Sequence, residues 1–354
     1  MQTPRLPQSN VASLPPPAAG VISLTPPQDS ASIPAPFLTP LPTAPDPTPA
    51  NPGPLSLVKR AFPGARSAVP AVGPCLQAAL QARWKAYREQ LRSCQADVSE
   101  EAVHELRVAT RRLIAQLALL SCMIPSPALD KARRMLKRRL AALGELRDTH
   151  VQRTFVSKAS RRFPELADLR ERLGRQEKRL VRAAAGKVGR CKMRKLERWL
   201  RAVADELDTL RRQARGRNQL AAAALGATTS AFAEAVARRR AIDPADPRTI
   251  HRTRVAFKRF RYMVESLSPC LTGLSKRELR ALAWYQRRMG IIQDLEVLHQ
   301  CVARYLERQK DAEVLLRPFV RHLQKRRARA LRAFLKTADA LLGFWPPTRL
   351  ESKV

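Results

Sequence analysis

From Cys75 to about residue 345 apolar residues recur every three or four positions, and the intervals are filled by Ala, Leu, Arg, Glu, Gln and Lys. All are good helix formers, and the spacing is that of one helix face. The alternating Val-rich runs of a sheet protein are absent. Breakers interrupt the pattern at Pro125 and Pro127, Pro164, Gly186 and Gly189, Gly216, Pro244 and Pro247, Pro269, Gly273 and Pro346. The sequence therefore predicts an all-α body of roughly nine or ten helices. Residues 1–74 read differently, because they hold 19 of the 28 prolines. Proline removes backbone donors and fixes φ, so this stretch is expected to be a disordered or polyproline-II arm. Residues 346–354 form a short tail.

Two blocks of sequence recur in the helical body. Val103-His104-Glu105-Leu106-Arg107-Val108-Ala109-Thr110-Arg111-Arg112-Leu113 aligns with Ile250-His251-Arg252-Thr253-Arg254-Val255-Ala256-Phe257-Lys258-Arg259-Phe260. Downstream, Leu143-Gly144-Glu145-Leu146-Arg147-Asp148 aligns with Met289-Gly290-Ile291-Ile292-Gln293-Asp294. The order and near-equal spacing predict a tandem duplication split near residue 216, with about four helices in each half. The halves are 75–215 and 217–345.

On a helical wheel Leu106, Ala109, Leu113, Leu117 and Leu120 form one stripe, and His104, Arg107 and Arg111 lie on the other side. In the second copy Ala256, Phe260, Met263, Val264 and Leu267 oppose His251, Arg254, Lys258 and Arg261, with Tyr262 beside them. Each copy thus carries a comb of cations at i, i+3 and i+7 behind a histidine. Like charges at this spacing repel, and a bound polyanion would relieve the repulsion. In the next helix Lys131, Arg134 and Arg138 share a face opposite Leu136, Leu140 and Leu143. Arg139 and Arg147 fall at or on the apolar stripe, so each needs a partner or an inward-facing polar channel.

Net charge sharpens this picture. The chain has 66 Lys+Arg against 30 Asp+Glu, a formal charge of +36. The arm contributes little of that, so the body is a ready partner for a polyanion such as polyphosphate or nucleic acid. Only 5% of residues are aromatic, which disfavours the stacking platforms of nucleic-acid binders. No apolar run approaches the roughly 20 residues of a membrane span, and no secretory signal is evident. Six scattered cysteines argue against a disulfide framework and for a reducing intracellular home.

The repeated His-x-x-Arg-Val-Ala helix, followed by Leu-Gly-x-x-Arg/Gln-Asp-x-x-Val, resembles the CHAD domain, the conserved-histidine α-helical domain, over roughly residues 75–345. The resemblance implies two four-helix bundles related by pseudo-two-fold symmetry around a basic pore or cleft. It also implies binding of inorganic polyphosphate and a cytoplasmic location on polyphosphate granules. By it, His104, Arg107, Arg111 and Arg112 would be anion ligands in the first half, and His251, Arg254, Lys258, Arg259 and Arg261 in the second. The family pattern commonly has Asp where this chain has His150 and Glu296. Many relatives also carry an N-terminal triphosphate-tunnel domain with a Glu-x-Glu-x-Lys signature, but this chain contains no Glu-x-Glu.

Catalysis finds no support in the sequence. Gly-x-Ser-x-Gly, Gly-x-x-x-x-Gly-Lys-Ser/Thr and Gly-x-Gly-x-x-Gly are all missing. The five histidines show no His-x-x-x-His pair, and neighbouring guanidinium groups would repel a divalent cation. No catalytic residue, metal or cofactor is expected. Asp148 and Asp294 read as ion-pair or capping residues. The basic stretch His322–Arg329 reads either as more anion surface or as a plain solvated helix face.

Overall fold

Helix α1 (Val72–Ala96) begins three residues before the boundary expected at Cys75. Pro74 lies in its first turn, where a missing N–H breaks no intrahelical bond. The computed structural model describes residues 72–271 and 274–345, and the side chains of all of these except 214–217. Most of the Pro-rich arm, the break at Gly273 and the tail 346–354 lie outside the described residues.

Nine further helices follow: α2 (Glu100–Leu120), α3 (Pro127–Ala142), α4 (Gly144–Ala159), α5 (Ala167–Gly189), α6 (Arg194–Arg212), α7 (Ala214–Arg240), α8 (Pro247–Leu267), α9 (Lys276–Leu306) and α10 (Ala312–Leu335). Short 3-10 turns occupy Pro164–Leu166, Ser268–Cys270 and Ala338–Gly343, and the described residues contain no strand. The starts obey local chemistry. Ser99 accepts from the Ala102 N–H at 3.3 Å, and Glu100 and Glu101 sit in the first turn of α2. Asp246 caps α8 ahead of Pro247, and Ser275 with Glu278 forms a capping box on α9.

Several breakers act differently from the sequence expectation. Helix α5 runs through Gly186, and α7 starts at Ala214 and runs through Gly216. An isolated glycine lowers helix propensity by only about 1 kcal/mol, which tertiary packing overrides. Six α-helices precede α7 and three follow it, and the second motif block, which opens at the α3–α4 break in its first occurrence, lies inside the unbroken α9 in its second.

The halves do not close separate cores. One apolar cluster joins Leu80, Leu113 and Leu117 to Phe257, Phe260 and Tyr285. The other joins Phe155, Leu169 and Leu173 to Leu295, Leu298, Phe319 and Leu323. Each draws on both sides of residue 216, because α1 packs on α7 and α8 as well as α2, and α2 packs on α8. By length and composition Asn218–Arg240 could cross a membrane. In the fold Leu220, Ala224, Ala231 and Ala235 of this helix are buried in the first cluster, and Phe232 lies 5.1 Å from the Phe260 ring.

The cysteine expectation needs correction. Cys75 in α1 and Cys270 in the 3-10 turn after α8 form a disulfide, with Cα atoms 6.6 Å apart across 195 residues of sequence. Cys94, Cys122, Cys191 and Cys301 are free. Spacing along the chain is blind to a pair that the fold alone brings together.

Phe257 is the pivot of an aromatic group that holds α8 against α9 and the C-terminal turn. Its ring centroid lies 4.7 Å from Tyr285 and 5.8 Å from Phe344, and Tyr285 donates to the Ala338 carbonyl at 2.8 Å. Phe257→Ala is expected to lower unfolding free energy by about 3–5 kcal/mol in urea titration. Val255, two positions away in the same motif, is 52% exposed, and Val255→Ala should change stability by about 0.5 kcal/mol or less.

Candidate anion site

Packing of α2 against α8 turns the two cation combs toward each other. Arg107, Arg111 and His104 of α2 are buried, as is Arg254 of α8, while His251, Lys258 and Arg261 are half-buried. Arg111 senses the charges of Arg107, Arg147 and Arg254, and Lys258 senses Arg107, Arg111, Arg254 and Arg261. Two helices far apart in sequence thus build one cluster, with α4 and α9 adding Arg147, Asp148, Gln293 and Asp294.

Several members are held by specific contacts. Arg107 Nη1 donates to the Leu140 carbonyl at 2.6 Å. That carbonyl lies in the last turn of α3, where C=O groups lack intrahelical donors. Arg147 Nη1 pairs with Glu100 Oε1 at 2.9 Å, so the acid at the start of α2 orients a cation from α4. His251 Nδ1 is 2.9 Å from Gln293 Oε1, a neutral partner that leaves the other ring nitrogen for a ligand. Arg261 pairs with Glu265 at 2.7 Å, and Lys258 and Arg261 both lie against the Tyr262 ring.

Much donor capacity in the cluster remains unused. Nε and Nη2 of both Arg107 and Arg111, and Nε of Arg147, are buried without a hydrogen-bond acceptor. Guanidinium groups only donate, so nothing else in the cation set can satisfy them. Their titration reflects this. Burial, partly offset by Asp148 and reinforced by Arg147, pushes Arg107 down to about 10. Burial and then Arg107, Arg254 and Arg147 hold Arg111 well below its usual value against the opposing pull of Tyr262, and burial with surrounding cations does the same to Lys258. Burial, then Arg147, Arg111 and Arg107, push His104 down to about 4, so it is neutral near pH 7. His251 is lowered by burial despite its Gln293 bond.

The carboxylates inside the cluster are desolvated too. Burial pushes Asp148 up to about 6 against the pull of Arg107, Arg111, Arg147 and Arg304. Burial raises Asp294 well above the carboxylate range despite Arg254 and Arg147, and Asp148 adds to the rise. Neither acid caps a helix: Asp148 faces the cluster with partial negative charge, and the more strongly desolvated Asp294 favours its neutral form.

Several residues nominated from the sequence lie elsewhere. Arg112 is one position round α2 from Arg111, and its charge acts on Arg83 of α1. Arg259 stands in the same relation to Lys258 and is exposed. Lys131, Arg134 and Arg138 are exposed on α3, whose buried face is Leu129, Ala132 and Leu136. Arg139 donates to Tyr87 Oη and to the Lys192 carbonyl, both at 2.7 Å, and so ties α3 to α1 and to the α5–α6 link. His150 points away, with Nε2 3.4 Å from Glu177. In the C-terminal stretch Arg326 stacks on Phe155 and Arg327 pairs with Glu296 at 2.9 Å, which are packing roles.

The sequence reading missed a second basic feature. A cavity of about 820 Å³ lies among α4, α5 and α9, with Arg172, Arg175, Arg179, Arg304 and Arg308 on its walls. The arginines of α5 repeat the i, i+3, i+7 spacing of α2, so the same comb count would have found them. Among the described residues no group of three or more His, Cys, Asp or Glu side chains is placed to hold a metal ion.

The sequence profile of the CHAD domain matches residues 76–303. The crystal structure of the CHAD domain from the plant Ricinus communis is similar at a TM-score of 0.61 and 21% sequence identity, covering 82% of this chain and 97% of that one. That likeness is one of fold. No curated protein sequence matches the chain.

A buried cation that lacks acceptors and faces like charges costs folding free energy. Arg111→Met is therefore expected to stabilise the unliganded protein by about 1–3 kcal/mol, read as a higher urea midpoint at unchanged slope. A lower midpoint would show that Arg111 supports the fold.

Proposed function

We propose that this chain, which belongs to the CHAD domain family, binds inorganic polyphosphate without a catalytic step and associates with polyphosphate granules in the cytoplasm. The observation that carries this reading is the convergence of Arg107 and Arg111 with Arg254 and Lys258 in one buried cluster, with Arg donors left without acceptors. Phosphate oxygens accept several hydrogen bonds at once and carry the missing negative charge, and guanidinium forks match them in pairs. A linear anion with a charge at every unit suits cations that recur along α2 and α8. The paired motifs, and the 21 residues of both α2 and α8, support a tandem duplication whose two combs are related by a pseudo-two-fold axis around a basic pore.

The mechanism is electrostatic capture. Arg107, Arg111, Arg254 and Lys258 supply charge and donors, while His251, whose Nδ1–H is held by Gln293 Oε1, donates from Nε2 only when protonated. Asp148 balances the cations in the unliganded protein and yields to phosphate on binding. Its carboxylate then favours the protonated form, so binding takes up a proton.

The first test uses labelled long-chain polyphosphate at about 0.15 M salt, where exposed charges are screened beyond about 8 Å. Arg107→Gln with Arg254→Gln should weaken binding about a hundredfold, since each charged hydrogen bond contributes about 1.5–3 kcal/mol. The charge-matched pair Arg277→Gln with Arg280→Gln, both exposed at the start of α9, should change it little. Equal losses would sink a specific site, with helicity by circular dichroism checking that both variants fold. Unlabelled DNA and RNA at matched phosphate concentration are the competitors. Equal displacement would make the cluster a general polyanion site.

The second test is pH. Affinity should rise as pH falls from 7.5 to 5.5, through the value of about 6 for Asp148. Each one-unit rise that the anion imposes on this group is worth up to about tenfold. Asp148→Asn should flatten the profile, and an unchanged slope in that variant would exclude the carboxylate as its source.

A further inference from the structure

The central cluster and the cavity among α4, α5 and α9 share one helix face. On α9, Gln293 and Asp294 reach the cluster, Val297, Gln300, Cys301 and Arg304 continue along the cavity wall at helical spacing, and Arg308 follows in the turn after the helix. From residue 293 to residue 304 the axis advances about 16 Å. On α4, Arg147 lies in the cluster while Asp148 lines the cavity. Asp148 is the hinge between the two regions, because it senses Arg107, Arg111 and Arg147 on one side and Arg304 on the other.

The cavity is built for negative charge. Five arginines line it against two carboxylates, Glu145 and Asp148. Two further acids of α5, outside the lining, are occupied: Asp168 accepts from the Tyr305 hydroxyl at 2.6 Å, and Glu171 pairs with Arg175. Glu145 accepts from Gln176 at 3.3 Å. Among the described residues Arg172, Arg179, Arg304 and Arg308 form no salt bridge with a carboxylate. Leu169, Leu173 and Tyr305 make an apolar floor that belongs to the second core, so the walls are fixed by packing. Arg172 stacks on the Tyr305 ring at 5.8 Å, which orients one guanidinium.

We infer that this cavity is an extension of the anion site, taking the onward segment of a polyphosphate chain whose leading phosphates lie among Arg107, Arg111, Arg254 and Lys258. The inference rests on the polyphosphate reading above and adds a chain-length preference to it. A short chain fills the cluster alone. A long one continues past Asp148 and gains contacts with α5 and the C-terminal half of α9. Affinity should therefore grow with length beyond what the cluster supplies.

The test compares tripolyphosphate with long-chain polyphosphate on the full chain. The groove variant is Arg172→Ala, Arg179→Ala and Arg304→Ala. The control with the same loss of charge is Arg240→Ala, Arg277→Ala and Arg280→Ala, three exposed cations away from the cavity. The groove variant should bind long chains about tenfold or more weakly, with a salt slope smaller by about two. Its affinity for tripolyphosphate should be unchanged, and the control should keep both affinities. Long-chain binding equal to wild type, or an equal loss for both ligands, would overturn the extension while leaving polyphosphate binding intact. Wild-type protein that binds neither ligand would overturn the underlying reading and the extension together.

Discussion

Repulsion among desolvated cations is the constraint around which this fold is arranged. Arg107, Arg111, Arg147 and Arg254 are buried within reach of one another's charge. An uncompensated buried charge destabilises a protein by several kcal/mol, so each must be met by dipoles or counter-ions. The break between α3 and α4 exposes the Leu140 carbonyl to Arg107, the first turn of α2 supplies Glu100 to Arg147, and α9 supplies Asp294 to Arg254. What these contacts leave unmet is the donor capacity of Arg107 and Arg111, on which the proposed anion binding draws.

The cation cluster thus works against the stability of the fold that contains it. Apolar contacts from both halves of the chain hold α2 and α8 together despite facing combs of like charge. The Phe257, Phe260 and Tyr285 group on one side and the Leu113 and Leu117 stripe on the other close a single core over the interface. Two independent bundles joined by a linker could separate under this repulsion. A core shared between the halves cannot open without exposing both.

The carboxylates tune the arrangement. Asp148 and Asp294 come from equivalent positions in the repeated motif, and both are raised by burial in spite of the cations around them. Asp148, with a value of about 6, is the acid whose charge changes near neutral pH. It lies where the central cluster meets the outer cavity.

The all-α class, the repeated motifs and the cation faces were legible in the sequence, because helical periodicity is local and two motifs in one order reveal themselves without a fold. His104, Arg107, Arg111, His251, Arg254, Lys258 and Arg261 were all readable as one face per helix. Which cations meet was not readable, since a wheel gives direction but not the neighbour. Arg139 and Arg147 looked alike as misplaced cations, yet one ties three elements together and the other faces the cluster. Arg112 and Arg259 share the motif but lie about 100° round the helix from the residues that converge. The shared core, the Cys75–Cys270 bridge and the cavity beside α5 depend on contacts between residues far apart along the chain. Periodicity fixes which face of a helix is apolar, and only tertiary packing decides what covers it.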